Sequence, residues 1–239
     1  MRHFFVLIIV LILSGCINKG DDVGQVSFTT DDGVLIYGDF KEPEQKNGKA
    51  IILLHMLRTD KSHWKDFSDK LNEKNYTTIA IDLRGHGQSI KKNNVDYRWQ
   101  SFSENDFNKM VLDVKAAKIF LLERGYDPNK IALIGASIGA NIALNYASTD
   151  EEIRVVALLS PGLDYRGVKT EKSMQDFDGY VFIASSKEDE PSYSSCIKLK
   201  DIGNSKKTVI FYENAGHGTW MFEKTDLSEK LLDWIEKVF

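Results

Sequence analysis

Four stretches of this chain, AIILLH (50–55), TTIAID (77–82), KIALIG (130–135) and VVALLS (155–160), are nearly unbroken runs of apolar and β-branched residues bounded by turn formers. Runs of this length and character fit strands buried on both faces, as in a parallel sheet covered by helices. YVFIASS (180–186) and TVIFYE (208–213) continue the series. The segments between them carry helical spacing. Residues 104–124 place Phe107, Val111, Val114, Ala117 and Leu121 on one face and stop at Gly125, with Pro128 beyond. Residues 138–148 and 226–238 behave similarly. At the front, QVSFTTDDGVLIYGDF alternates around Asp32-Gly33, a two-residue hairpin signal. The expected architecture is α/β: an antiparallel hairpin leading into alternating β and α units of one doubly wound, mostly parallel sheet.

The first residues, MRHFFVLIIVLILSGC, join a short basic start to an apolar run from Phe4 to Leu13. That run is short for a bilayer span and suits the apolar region of a secretory signal. Leu13-Ser14-Gly15-Cys16 resembles a prokaryotic lipobox, in which Cys16 is lipidated and becomes the first mature residue. The organisation expected is a signal peptide over 1–15, a lipidated Cys16 and polar tether over 16–23, and one domain over 24–239. The protein is then exported and held at a membrane by its lipid; an uncleaved N-terminal anchor is the alternative. About 220 residues remain after the leader, enough for one sizeable core.

Removing residues 1–15 takes away Arg2 alone among charged residues and moves the formal charge from −4 to −5. Basic residues are scattered among acids rather than gathered into a stripe, so the footprint of a nucleic-acid binder is missing. Of the two cysteines, Cys16 belongs to the lipobox, which leaves Cys196 without a partner and the fold without a disulfide framework. Cys196 reads as a small buried side chain at a helix start.

Residues 135–139, GASIG, stand between the strand IALI and the helical ANIALNYA. A serine on a strand-to-helix turn with glycines on either side is the setting of a nucleophile elbow, where larger neighbours would crowd the turn. Ser137 is therefore the candidate nucleophile. The helix beginning at Ile138 directs its free N–H groups and positive dipole end to the same place. A base is sought among the histidines, and His217 lies in NAGHGTW just past the last strand, on a loop with glycine at both sides. Asp189, in SSKEDEPS at the carboxyl end of the preceding strand, is the candidate orienting acid. Glu188 and Glu190 flank it, and Asp164, in SPGLDYRG, is its rival. For an oxyanion, one donor is the backbone of Ile138 and the second is the backbone of Met56, on the loop after AIILLH. Neither a metal nor an organic cofactor is called for by this set.

Taken together, LLHM, DLRGHGQS, GASIG, Asp189 and His217 resemble the α/β-hydrolase superfamily over nearly all of the mature length, and most closely its small esterase, dienelactone-hydrolase and peptidase-like branch. The resemblance implies an α/β-hydrolase fold and acyl transfer through Ser137, His217 and Asp189. It also implies that Asp82, Arg84, Gly85, His86 and Gly87 form a mainly structural motif. Met56 departs from the pattern, standing where a glycine is common.

Only residues 163–179 separate VVALLSPG from YVFIASS, too short for a large lid domain. The site is expected to be open, roofed by that loop and by residues 90–105, whose Tyr97, Trp99 and Phe102 either wall the site or pack on the core. Such a site suits small acyl substrates bearing ester, thioester or amide bonds. Two other readings stand beside it. GASIG as a phosphate-cradling turn lacks the Gly-Lys-Ser/Thr ending and the full dinucleotide fingerprint. A noncatalytic surface binding module on the same fold is the other.

Overall fold

The computed structural model describes residues 23–239. The expected leader, Cys16 and the tether through residue 22 lie outside the described residues. The chain opens with the antiparallel pair β1 (Val23–Thr29) and β2 (Val34–Lys41), turning at Asp32-Gly33. It continues through β3 (Ala50–Leu54), α1 (Lys65–Glu73), β4 (Thr77–Ile81) and the short hairpin β5 (Lys91–Lys92) and β6 (Val95–Asp96). Next come α2 (Glu104–Asn108), α3 (Val111–Glu123), β7 (Ile131–Ala136), α4 (Ile138–Ala147) and β8 (Val155–Leu159). A second hairpin, β9 (Asp164–Tyr165) and β10 (Val168–Lys169), precedes α5 (Glu171–Asp176), β11 (Tyr180–Ser186), α6 (Ser192–Leu199), β12 (Lys206–Tyr212) and α7 (Leu227–Val238).

Ten strands form one sheet in the order β12-β11-β8-β7-β3-β4-β2-β5-β6, with β1 paired to β2. From β12 to β4 every pairing is parallel. The central strands β3, β4, β7 and β8 are buried along their whole length, which explains their unbroken apolar sequences. The period of two then divides the core. Ala50, Ile52 and Leu54 of β3 face a cluster built with α3, α4 and α6, whereas Ile51 and Leu53 face one built with α1 and α7. Each fully buried aliphatic side chain contributes roughly 1.5–3 kcal/mol, so both layers are held firmly to the sheet.

The expected helix over 104–124 is two helices. Ser103 caps α2 in a reciprocal capping box with Asp106, and tight turns through Lys109 and Met110 re-aim the chain before α3. The buried Asp113 of α3 then accepts the Arg84 backbone N–H at 2.9 Å and its Nε at 2.9 Å. The same Arg84 guanidinium reaches both oxygens of Asp32 in the first hairpin, so one arginine joins three distant segments. No helix among the described residues is long and apolar enough to cross a membrane.

The segment after β8 holds only the β9–β10 hairpin and α5, so no lid domain interrupts the sheet. This is an α/β-hydrolase fold, and its carboxyl strand ends collect the loops that follow β3, β7, β8, β11 and β12.

Candidate active site

The turn after β7 brings the backbone of Ser137 to φ 54° and ψ −123°, a conformation that L residues rarely adopt. Its N–H donates to the Leu159 carbonyl at 2.8 Å, and its carbonyl accepts from Ala140 and Asn141, so the turn is tied to β8 behind and α4 ahead. Both flanking glycines are required by space. A Cβ on Gly135 would lie 2.2 Å from the Gly139 carbonyl oxygen, and one on Gly139 would lie 2.5 Å from that of Leu54. Strand, turn and helix thus pack backbone to backbone, and the Ser137 side chain faces a cavity of about 350 Å³. As the first residue of α4, Ile138 has an N–H with no intrahelical partner beside that cavity.

His217 lines the same cavity from the loop after β12. Its Nδ1 lies 2.8 and 2.9 Å from the two carboxylate oxygens of Asp189, with the histidine side chain 27% exposed and the aspartate 11%. Asp164, the rival acid, is exposed on β9 and accepts the Gly167 N–H at 2.8 Å, closing its own hairpin rather than reaching the histidine. The neighbours of Asp189 do different work. Glu190 accepts from the Ser194 hydroxyl at 2.6 Å. Glu188 turns back to accept the Ser186 hydroxyl and the N–H groups of Asn214 at 2.8 Å and Gly216 at 3.4 Å. The Ser186 hydrogen bond leads in drawing its carboxyl pKa down to about 2.

Serines anchor the remaining edges of the histidine loop. Ser186 Oγ accepts the Ala215 N–H, and buried Ser160 accepts that of Gly218, both at 2.9 Å. Buried Ser192 shares a 2.6 Å hydrogen bond with the Tyr165 hydroxyl and stands 3.5 Å from His217 Nδ1. Glu188, Ser160 and Ser192 give no sequence signal, because their roles depend on partners 25 to 58 positions away.

The loop after β3 presents Leu57, not Met56, at the cavity wall. Met56 is buried against Gly218, and its carbonyl accepts from His55 Nδ1 at 2.6 Å and from the Thr59 hydroxyl at 2.9 Å. His55 is turned inward, its Nε2 accepting the Leu83 N–H at 3.0 Å. Burial above all pushes the His55 pKa down to about 3, so it is a neutral structural imidazole. His86 is also buried, its Nδ1 donating to the Arg84 carbonyl, with its ring stacked on Trp99.

The roof comes from the β9–β10 hairpin, through Asp164, Tyr165 and Arg166. Asn141 of α4 fixes it, donating to the Val168 carbonyl at 2.8 Å and accepting the Gly162 N–H at 3.0 Å. Residues 90–105 do not reach the cavity. Trp99 stacks on His86 while Tyr97 and Phe102 pack together at 4.4 Å, so of the two roles expected for these aromatics it is core packing that holds. Cys196 is buried in the core, where burial raises its thiol pKa to about 12.

A family model described as serine aminopeptidase, S33, matches residues 45–186. An AB hydrolase superfamily protein of Bacillus subtilis is 30% identical over 113 residues, covering 47% of this chain and 37% of that protein. The curated relatives matched here are covered over 25% to 37% of their own length. Among solved structures, the Pyrococcus furiosus esterase Pf2001 superposes with a TM-score of 0.71 at 17% identity, covering 91% of this chain and 93% of that one. Est1E of Butyrivibrio proteoclasticus, solved with ferulic acid bound, superposes with a TM-score of 0.74 at 16% identity over 89% and 98%.

Proposed function

Because the chain belongs to the serine aminopeptidase S33 family of α/β-hydrolases, we propose that it hydrolyses carboxylic esters of small acyl groups through Ser137, His217 and Asp189. The observation that carries this reading is the strained Ser137, set at the start of α4 in the same cavity as a histidine that an aspartate already holds. In the reaction, Ser137 Oγ attacks the acyl carbon while His217 takes its proton. Asp189 fixes the imidazole tautomer and stabilises the charge it acquires. The N–H of Ile138 and that of the β3–α1 loop receive the oxyanion, with Leu57 taking the place expected of Met56 because it is the loop residue at the wall. The leaving oxygen collects the proton from His217, and water then attacks the acyl-enzyme through the same base. Thioesters and amides use the same steps, and the small lidless cavity favours short acyl groups.

A ladder of p-nitrophenyl esters tests this. Short chains should be cleaved fastest, and Ser137→Ala should lower kcat/KM by about 10⁴-fold or more. Equal rates for the two proteins would contradict Ser137 as the nucleophile, and no turnover of any ester would contradict the reading and leave a binding module on a hydrolase fold. The proposal includes location: lipid on Cys16 holds the exported protein at a membrane. Cys16→Ser should release it to the soluble fraction, and continued retention would contradict lipidation.

A further inference from the structure

A second and larger cleft, of about 490 Å³, opens beyond the histidine loop, between that loop and α1. Its wall is Trp220, whose ring centroid lies 6.4 Å from that of His217, yet the indole is 46% exposed. Phe67 and Phe222, stacked at 4.9 Å and 15°, also line the cleft. Around its edge stand Lys65, Asp66 and Glu223, exposed, together with His63 and the half-buried Lys70. Lys70 is already held by Glu229 at 2.7 Å and by the Ser228 hydroxyl at 2.6 Å, which leaves Lys65 beside Asp66 and Glu223, so the cleft disfavours an anion. It offers instead an aromatic plate with hydrogen-bond donors and acceptors around it.

We infer that this cleft is the leaving-group subsite and that it takes a sugar, so that the substrates are acyl esters of carbohydrate hydroxyls. The inference rests on the esterase reading above. During acylation the bond from Ser137 Oγ to the acyl carbon forms and the bond from that carbon to the sugar oxygen breaks. The Ser137 proton passes through His217 to that oxygen, which departs as a hydroxyl. The departing group therefore lies on the imidazole's side, where Trp220 stands, while the acyl group stays in the Ser137 cavity under the β9–β10 roof. A pyranose matches the cleft in chemistry: its C–H face lies on an aromatic ring, and its hydroxyl edges both donate and accept. A simple alkyl alcohol uses neither feature.

Two esters of the same acid separate this subsite from the general machinery: 6-O-acetylglucose, which keeps its other hydroxyls free, and ethyl acetate. Trp220→Ala and Glu223→Gln should each lower kcat/KM for the sugar ester, the tryptophan variant by about ten-fold, and leave ethyl acetate within about two-fold. The rate of fluorophosphonate labelling should not change in either variant, which also reports that they fold. Equal losses on both esters, or no loss on the sugar ester, would overturn the assignment. A measurement independent of turnover uses Ser137→Ala protein titrated with methyl glucoside. Tryptophan fluorescence should shift, and the shift should vanish when Trp220→Phe is added. Absence of any shift overturns the sugar subsite, whereas a shift in a protein that hydrolyses neither ester overturns the esterase reading alone.

Discussion

Ser137 carries a backbone strain of roughly 1–3 kcal/mol that a plain strand-to-helix turn has no need of. Ser137→Gly relieves that strain and Ser137→Ala does not. The glycine variant is expected to be more stable than the alanine variant by about 1 kcal/mol in urea unfolding, with both inactive; equal midpoints would mean the turn is relaxed. The three acids beside it are distinguished by their partners. Asp189→Asn should lower kcat by about 10³–10⁴-fold, because the amide no longer fixes the imidazole tautomer or its charge. Glu188→Gln weakens the acceptor that holds Asn214 and Gly216, and the shift of His217 that follows should cost up to about 100-fold in kcat with normal folding. Glu190→Gln, at the cavity wall but hydrogen-bonded to Ser194 of α6 rather than to His217, should change kcat least of the three; steady-state kinetics on the three variants would expose a wrong ordering.

The contact between β3 and α4 sets the height of the serine. Gly139→Ala drives a Cβ into the Leu54 and His55 carbonyls, both backbone atoms with no room to yield. It should cost about 2 kcal/mol or more and lower activity, read by thermal unfolding beside the ester assay. Near-neutral stability would mean that the close approach is not needed. The alternation of strands and helices is legible in the sequence because the central strands are buried on both faces and their residues write that burial directly. The elbow is legible for the same reason, since two glycines mark where backbones touch. Other features are not local. Whether Asp164 or Asp189 meets His217 depends on the β9–β10 hairpin closing on itself. The inward turn of His55, two residues before the Leu57 that lines the cavity, depends on the Leu83 N–H, 28 positions away. Tyr97, Trp99 and Phe102 read equally well as site wall or core filler, because aromatic spacing does not say which surface lies opposite.

Two buried neutral histidines dominate the response of the folded protein to mild acid, outweighing the opposing proton of Asp113, whose carboxyl pKa burial raises to about 6. The folded His55 pKa, about 3, lies below its ordinary 6.5, chiefly through burial, and burial lowers that of His86 as well. Between those values the unfolded chain binds protons that the folded protein does not, so stability is complete above about pH 6.5 and falls as pH drops. Each histidine contributes a slope of about 1.4 kcal/mol per pH unit within its window. Between pH 6.5 and 5 these histidines act before the carboxylates with lowered pKa, Asp32 and Glu188, lose their own contribution. Urea unfolding across that range should show a falling midpoint, and a flat one would contradict the neutral assignment. A working serine nucleophile at the turn after β7 should be visible by mass spectrometry after reaction with a fluorophosphonate probe. One adduct per chain, located on Ser137 and absent from Ser137→Ala, is the result predicted. No adduct, or an adduct that persists in the alanine variant, would contradict it.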